Sequence, residues 1–145
     1  MRNHPLVQLA ATAVAATFLL VAVLGFVPGI TTNYSELSFA GHESEAKLLG
    51  LFQVSVLHNL VHALFGVAGL LAARTVGGAR GFLLGAGAIY LVLTVYGFAI
   101  GSNSPANFVP VNAADNLLHL GLGVGMLAAG LVLGKTTPRS ASARG

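Results

Sequence analysis

Ionisable and amide side chains cluster at two places in an otherwise apolar chain. Six residues are involved: His58, Asn59, His62, Asp115, Asn116 and His119. The segments HNLVH and DNLLH each place two ionisable residues at i,i+4, so both side chains lie on one face of a helix. Ionisable residues inside apolar helices usually face a bundle interior and indicate a functional site.

Two kinds of ligand chemistry fit these residue types. His58, His62, His119 and Asp115 together offer three imidazoles and a carboxylate, a set that binds Zn²⁺, Cu²⁺ or Fe²⁺. Alternatively, His62 and His119 ligate a haem from both faces or line a quinone site. Gly66 and Gly123, one turn deeper along each helix, would then leave room for the cofactor.

A structural role is the principal alternative. His and Asn side chains hydrogen-bond across membrane helices, and Asp115 in a first helical turn is favoured by the helix dipole. Proton relay or transport has less support, because no charge lies near the middle of any apolar run. We therefore expect a structural polar cluster with no cofactor and no catalytic residue, and keep the metal or haem site as the alternative.

The segments that carry these residues are two copies of one pattern. Residues 58–73 and 115–130 align, with Asn59 matching Asn116 and His62 matching His119. The end of the preceding apolar run repeats as well, since Gly25 and Phe26 match Gly97 and Phe98. An internal repeat predicts two tandem helical hairpins related by a pseudo-two-fold axis along the membrane normal. That axis would bring spans 2 and 4, and hence the polar residues, together.

Composition indicates an all-α integral membrane protein. Of the 145 residues, 55% are hydrophobic and 8% are charged, whereas soluble domains carry about 25% charged residues. Four runs can each span a bilayer, and we predict a four-helix membrane domain over 1–135 and a disordered cytoplasmic tail over 136–145. The predicted spans are 6–27, 48–73, 81–100 and 113–133.

Charged residues sort to the two ends of these spans. The positive group is Arg2, Arg74, Arg80, Lys135, Arg139 and Arg144, and the opposite group is Glu36, Glu43, Glu45, Lys47 and Asp115. The positive-inside rule then places both termini in the cytoplasm, as in a multi-pass protein of a bacterial cytoplasmic membrane. This topology accounts for the basic charge without a nucleic-acid partner, and the absence of cysteine excludes disulfides and thiolate sites.

Helix starts are predicted by capping residues. Asn112 with Asp115 three positions later resembles a capping box, and Ser55 occupies the equivalent N-cap position in the first copy. Residues 44–54 are then either a separate interfacial helix or an extension of span 2.

The pattern LLGLF-x-V-x-x-LHNLVH, followed by GAIYLVL and ADN-x-LHL, resembles a family of uncharacterised four-span bacterial membrane proteins with a domain of unknown function, common in high-GC Gram-positive bacteria. The resemblance covers Leu48–Gly125. It implies four spans and no known activity, and it marks as signature positions Asn59, His62, Asp115, Asn116 and His119.

We expect a structural or accessory protein associated with a larger membrane complex. Its expected partners are the lipid bilayer and other integral membrane subunits or further copies of itself. The alternative is a metal- or haem-binding redox protein that uses the histidine cluster.

Overall fold

A computed structural model describes residues 5–135, and the predictions for Arg2, Arg139, Arg144 and the tail 136–145 lie outside that range. The described chain is mostly helical, with four helices: α1 (Leu6–Leu24), α2 (Val56–Ala72), α3 (Val76–Ile100) and α4 (Ala113–Val132). By length and composition, α1, α3 and α4 can each cross a membrane. Helix α2 is shorter, with 17 residues.

Each helix packs chiefly against its neighbour in sequence, α1 against α2 and α3 against α4. Small residues make these contacts close. A Cβ atom at Gly66 would lie 3.0 Å from the Ala15 carbonyl oxygen, and one at Gly87 would lie 3.0 Å from the Gly123 carbonyl oxygen. Because the backbones nearly touch at both crossings, the pairs pack by van der Waals contact along their lengths.

Helix α2 lies antiparallel to α1 along almost its whole length. At one end Asn59 lies against Gly25, and at the other the Gln8 side chain donates a 2.9 Å hydrogen bond to the Ala73 carbonyl. Three residues then connect α2 to α3. The hydroxyl of Thr75 caps α3 by accepting from the Gly78 N–H at 3.0 Å, so α3 begins at Val76, earlier than the predicted 81.

Residues 44–54 do not form a helix, so both helical predictions for this segment were wrong. They belong to a small antiparallel sheet in the order β1 (Thr31–Thr32), β2 (Lys47–Leu48), β3 (Phe52–Gln53). The turn between β2 and β3 has two residues with positive φ, Leu49 at 54° and Gly50 at 70°. Helix α2 therefore starts at Val56, after the sheet.

The sheet covers the end of α1, and the first connection contacts the second. Ala46, Leu48 and Val54 are buried, and Val21 and Leu24 of α1 pack against them. The Gly41 N–H donates to the Phe108 carbonyl at 2.7 Å. We call these two connections, residues 25–55 and 101–112, the loop layer.

Candidate functional site

The histidines of α2 and α4 converge just beneath the loop layer. One ring nitrogen from each of His58, His62 and His119 lies within 4.8 Å of the other two. His58 and His119 are buried and His62 is half-buried. The three-histidine cluster is therefore present as one group, although α2 and α4 each pack mainly against another helix.

Capping side chains hold the start of both helices that carry the histidines. The Ser55 hydroxyl accepts from the His58 N–H at 3.0 Å, so α2 begins at Val56, before both of its histidines. At α4, Asn112 and Asp115 form a reciprocal capping box with bonds of 3.0 and 2.9 Å. These bonds satisfy N–H groups that helix starts leave unpaired.

Asp115 has a further bond that the sequence did not indicate. The same oxygen that accepts from Asn112, Oδ2, also accepts from the Gln53 N–H of β3 at 2.9 Å. The carboxylate is 3% exposed. Asp115 thus ties the sheet to α4, and of the four residues in the alternative metal site, the three histidines form one group.

Asn59 and Asn116 each contact the preceding helix of the same hairpin. Asn59 contacts Gly25 of α1, and Asn116 contacts Gly97 of α3, so closely that a side chain at either glycine would collide with the amide. Within residues 5–135, both amide atoms of Asn59 and the amide oxygen of Asn116 are buried without a hydrogen-bond partner. The expected hydrogen bonds of these asparagines across helices are therefore not found for these atoms.

Aromatic rings fix two of the three imidazoles. Phe18 stacks on His62, with ring centroids 5.9 Å apart and planes at 11°, and Tyr90 meets His119 edge to face at 4.8 Å. Sequence reasoning had not linked these aromatics to the site. The repeat offered a signal, because Phe18 and Tyr90 occupy equivalent positions in α1 and α3.

Hydrogen bonding fixes the third imidazole. The His58 Nδ1 lies 2.8 Å from the Pro110 carbonyl oxygen. A carbonyl only accepts, so Nδ1 carries the proton and Nε2 carries the free lone pair. Pro110 belongs to the loop layer, which therefore sets both the tautomer and the orientation of this ring.

Two apolar cavities flank the cluster. One, of about 100 Å³, lies toward α3 and is closed by residues 106–109 and Val111. The other, of about 230 Å³, lies toward α1 and is closed by Leu48, Leu49, Phe52 and Val54, with Asp115 also on its wall. All three histidines line both cavities.

Neighbouring helices fill the space beside the two glycines that were expected to leave room for a haem. Gly66 faces Leu19 and the Ala15 carbonyl, and Gly123 faces Leu91 and the Gly87 carbonyl. Both glycines serve the crossing of neighbouring helices, and the room expected beside His62 and His119 is filled by leucine side chains.

Comparison with known proteins places the chain in a family. No curated protein and no solved structure matches it. A family model described as Domain of unknown function (DUF4383) matches residues 8–132, which includes most of α1 as well as the segment that carried the resemblance. The protein belongs to the DUF4383 family.

Proposed function

We propose that this protein is a small four-span integral membrane protein with a structural or accessory role in a larger complex of a bacterial cytoplasmic membrane. The apolar outer surface of the helices carries the proposal. Large apolar side chains are exposed on every helix, for example Val23 at 61%, Leu64 at 67%, Val95 at 70% and Val132 at 67%. Such a surface is stable against lipid and costly in water.

The packing of α2 supports a fourth span. Its 17 residues extend for about 26 Å, at the lower end of what a bilayer core requires. It runs beside α1 from Asn59 at Gly25 to Ala73 at Gln8. Since α1 is long enough to cross, a helix that accompanies it from end to end crosses with it.

The charges of the described residues support one orientation. Arg74 and Lys135 lie at the end of the bundle where α2 and α4 finish, and Arg80 donates to the Gly130 carbonyl of α4 at 3.3 Å near that end. Glu36, Glu43 and Glu45 lie in the loop layer at the opposite end. The positive end faces the cytoplasm by the positive-inside rule, so both termini are cytoplasmic and the histidines lie near the outer surface.

Equivalent contacts in the two hairpins support an internal duplication. Gly25 meets Asn59 where Gly97 meets Asn116, and Leu19 meets Gly66 where Leu91 meets Gly123. Likewise, Phe18 contacts His62 in the first hairpin, and Tyr90 contacts His119 in the second. Each hairpin thus repeats the same interhelical contacts.

Two exposed glycine pairs support the accessory role. Apart from its own chain neighbours and helix backbone, nothing among the described residues lies within 4 Å of a Cβ built at Gly81, Gly85, Gly121 or Gly125. The first pair lines a groove between α2 and α3. Glycines four apart allow close approach of another membrane helix. We expect the partner to be a different integral membrane subunit, and a second copy of this chain is the alternative.

Labelling of single cysteines tests the topology, since the natural chain has none. Glu43→Cys in the loop layer and Arg74→Cys between α2 and α3 are both exposed positions. In intact cells, a membrane-impermeant thiol reagent should label Glu43→Cys and should label Arg74→Cys only after permeabilisation. Labelling of both in intact cells would contradict the four-span orientation.

Mild crosslinking in native membranes tests the accessory role. We expect the chain to be recovered in a complex with one or more specific integral membrane proteins. Gly85→Leu should reduce that recovery because it fills the groove, whereas Phe39→Leu, in the loop layer, should not. Recovery of the chain only as a monomer would argue against the accessory role. An unchanged complex with Gly85→Leu would argue against the groove as the docking surface.

A further inference from the structure

We propose that His58, His62 and His119 bind one divalent transition-metal ion. A Zn²⁺ ion holds imidazole nitrogens at about 2.0–2.1 Å, which places nitrogens of a tetrahedral site about 3.4 Å apart. In this structure the three nitrogens lie within 4.8 Å of one another. These separations therefore exceed those of a tetrahedral site by at most about 1.4 Å, a distance that side-chain rotation can cover.

The His58 hydrogen bond matches what a metal ligand requires. Ligating histidines almost always donate their second ring N–H to a carboxylate or carbonyl, which fixes the tautomer and increases ligand basicity. His58 donates to Pro110 in this way, at 2.8 Å. Its Nε2 then keeps the lone pair with which a neutral imidazole binds an ion.

The other two rings are held but retain coordinating capacity. Phe18 and Tyr90 fix the planes of His62 and His119 through ring contacts that use no imidazole lone pair. The Nδ1 of His119 is buried and has no hydrogen-bond partner in residues 5–135. A buried polar atom without a partner is unfavourable, and a bonded ion or its ligand water would offset that cost.

The surroundings favour an ion with three protein ligands and an open position. The cavities of about 100 and 230 Å³ on either side have room for water, which needs only about 10–15 Å³ of accessible volume. Asp115 lines the larger cavity with the three histidines, so its carboxylate partly offsets the charge of a cation. Three imidazoles with an open fourth position are the pattern of reactive zinc sites.

The donor set selects the class of ion. Imidazole nitrogen suits Zn²⁺, Cu²⁺, Fe²⁺ and Ni²⁺, whereas Ca²⁺ and Mg²⁺ require oxygen ligands. A haem is disfavoured because a third imidazole lies beside the two that would ligate it, and because Leu19 and Leu91 fill the space at Gly66 and Gly123. The site therefore fits a single ion better than a macrocycle.

Metal titration of the purified protein tests the proposal. The protein is prepared in detergent with a histidine-free tag, stripped with chelator, and titrated with Co²⁺ followed by absorption and with Zn²⁺ followed by calorimetry and thermal unfolding. We expect one ion per chain, visible d–d absorption with Co²⁺, and a higher melting temperature with Zn²⁺.

Matched variants distinguish this site from adventitious binding. His62→Phe keeps a ring against Phe18 and removes a ligand, and His119→Phe does the same beside Tyr90. Each should weaken Zn²⁺ binding by more than about 100-fold, because even outer-shell partners contribute 10–100-fold. His42→Ala, in the loop layer and outside the cluster, should leave the affinity unchanged.

Several results would overturn the metal site. One is a folded wild-type protein, verified by circular dichroism, that shows no d–d absorption and no stabilisation by Zn²⁺. Another is an equal loss of affinity for His42→Ala and His62→Phe. If His119→Phe does not fold, His62→Gln is measured in its place, and unchanged binding by a folded His62→Gln protein equally contradicts the proposal.

Discussion

At the residue scale, a single carboxylate oxygen links the start of α4 to the sheet. Asp115 Oδ2 accepts one N–H that closes the capping box of α4 and another from β3, both at 2.9 Å. The amide of Asn112, the N-cap of α4, donates to the Leu51 carbonyl at 2.8 Å, which adds a bond to the β2–β3 turn. The position of the sheet over the histidines therefore depends on the first turn of α4.

Asp115→Ala is expected to destabilise the protein by about 2–4 kcal/mol, because it removes a cap interaction and leaves a buried Gln53 N–H unpaired. Asp115→Asn keeps one acceptor oxygen and should lose less. Thermal unfolding in detergent measures the first effect. Trypsin cleavage after Lys47 measures the loosening of the sheet, and it should accelerate in Asp115→Ala.

The exposed Glu43 provides the control for this prediction, since it lies in the same loop layer with no part in the capping box. Glu43→Ala should leave both the melting temperature and the cleavage rate near the wild-type values. Equal cleavage rates in Asp115→Ala and Glu43→Ala would show that Asp115 does not hold the sheet.

The sequence predicted part of this residue-scale picture. Capping residues act on N–H groups only two or three positions away, so Ser55 and Asn112 could be recognised from local spacing. The bond from Gln53 to Asp115 joins residues far apart in the chain, and no local pattern encodes it. The hydrogen bond between His58 and the Pro110 carbonyl could not be predicted either, because these residues are also far apart in the chain.

At the element scale, the helices were recognisable and the sheet was not. Apolar length alone predicts membrane-length helices. Helices α1 and α4 end within three residues of the predicted ranges, whereas α2 starts eight residues after the predicted 48. The segment KLLGLFQ carries no turn residue apart from Gly50, and Leu49 adopts a left-handed conformation that costs about 1–2 kcal/mol. Tertiary bonds decide its path, among them the Leu49 N–H to the Ile30 carbonyl at 2.8 Å.

Two glycines of α3 differ in how closely α4 approaches them, and this difference gives a prediction. A Cβ at Gly87 would come within 2.9 Å of Leu127 and 3.0 Å of the Gly123 carbonyl, whereas one at Gly85 meets nothing within 4 Å in the described chain. Gly87→Ala should therefore destabilise the α3–α4 hairpin by about 1–3 kcal/mol through overpacking. Gly85→Ala should be neutral or slightly stabilising because alanine favours helix.

Thermal unfolding of the two variants, side by side in the same detergent, measures this difference. The substitutions add the same methyl group two positions apart on one helix, so intrinsic propensity cancels in the comparison. Similar melting temperatures for Gly85→Ala and Gly87→Ala would contradict the close crossing of α3 and α4 at Gly123.

At the scale of the whole molecule, the decisive question is what surrounds the apolar helices. Leu64 in the middle of α2 and Phe39 in the loop layer are almost equally exposed, at 67% and 66%. In water, lysine at either position would be tolerated about equally. In a bilayer, a lysine near the centre of a span costs about 2.5–3.5 kcal/mol, whereas one near the interface reaches the headgroups.

Leu64→Lys should therefore lower the amount of protein inserted in membranes and its stability in lipid nanodiscs, while Phe39→Lys should behave like the wild type. The comparison also addresses α2, the shortest of the four helices, because only a membrane-embedded α2 makes Leu64 sensitive. Quantitative immunoblotting of membrane fractions and thermal unfolding in nanodiscs provide the two measurements. Equal tolerance of both lysines would mean that α2 does not face the hydrocarbon, and the chain would then have at most the three spans α1, α3 and α4.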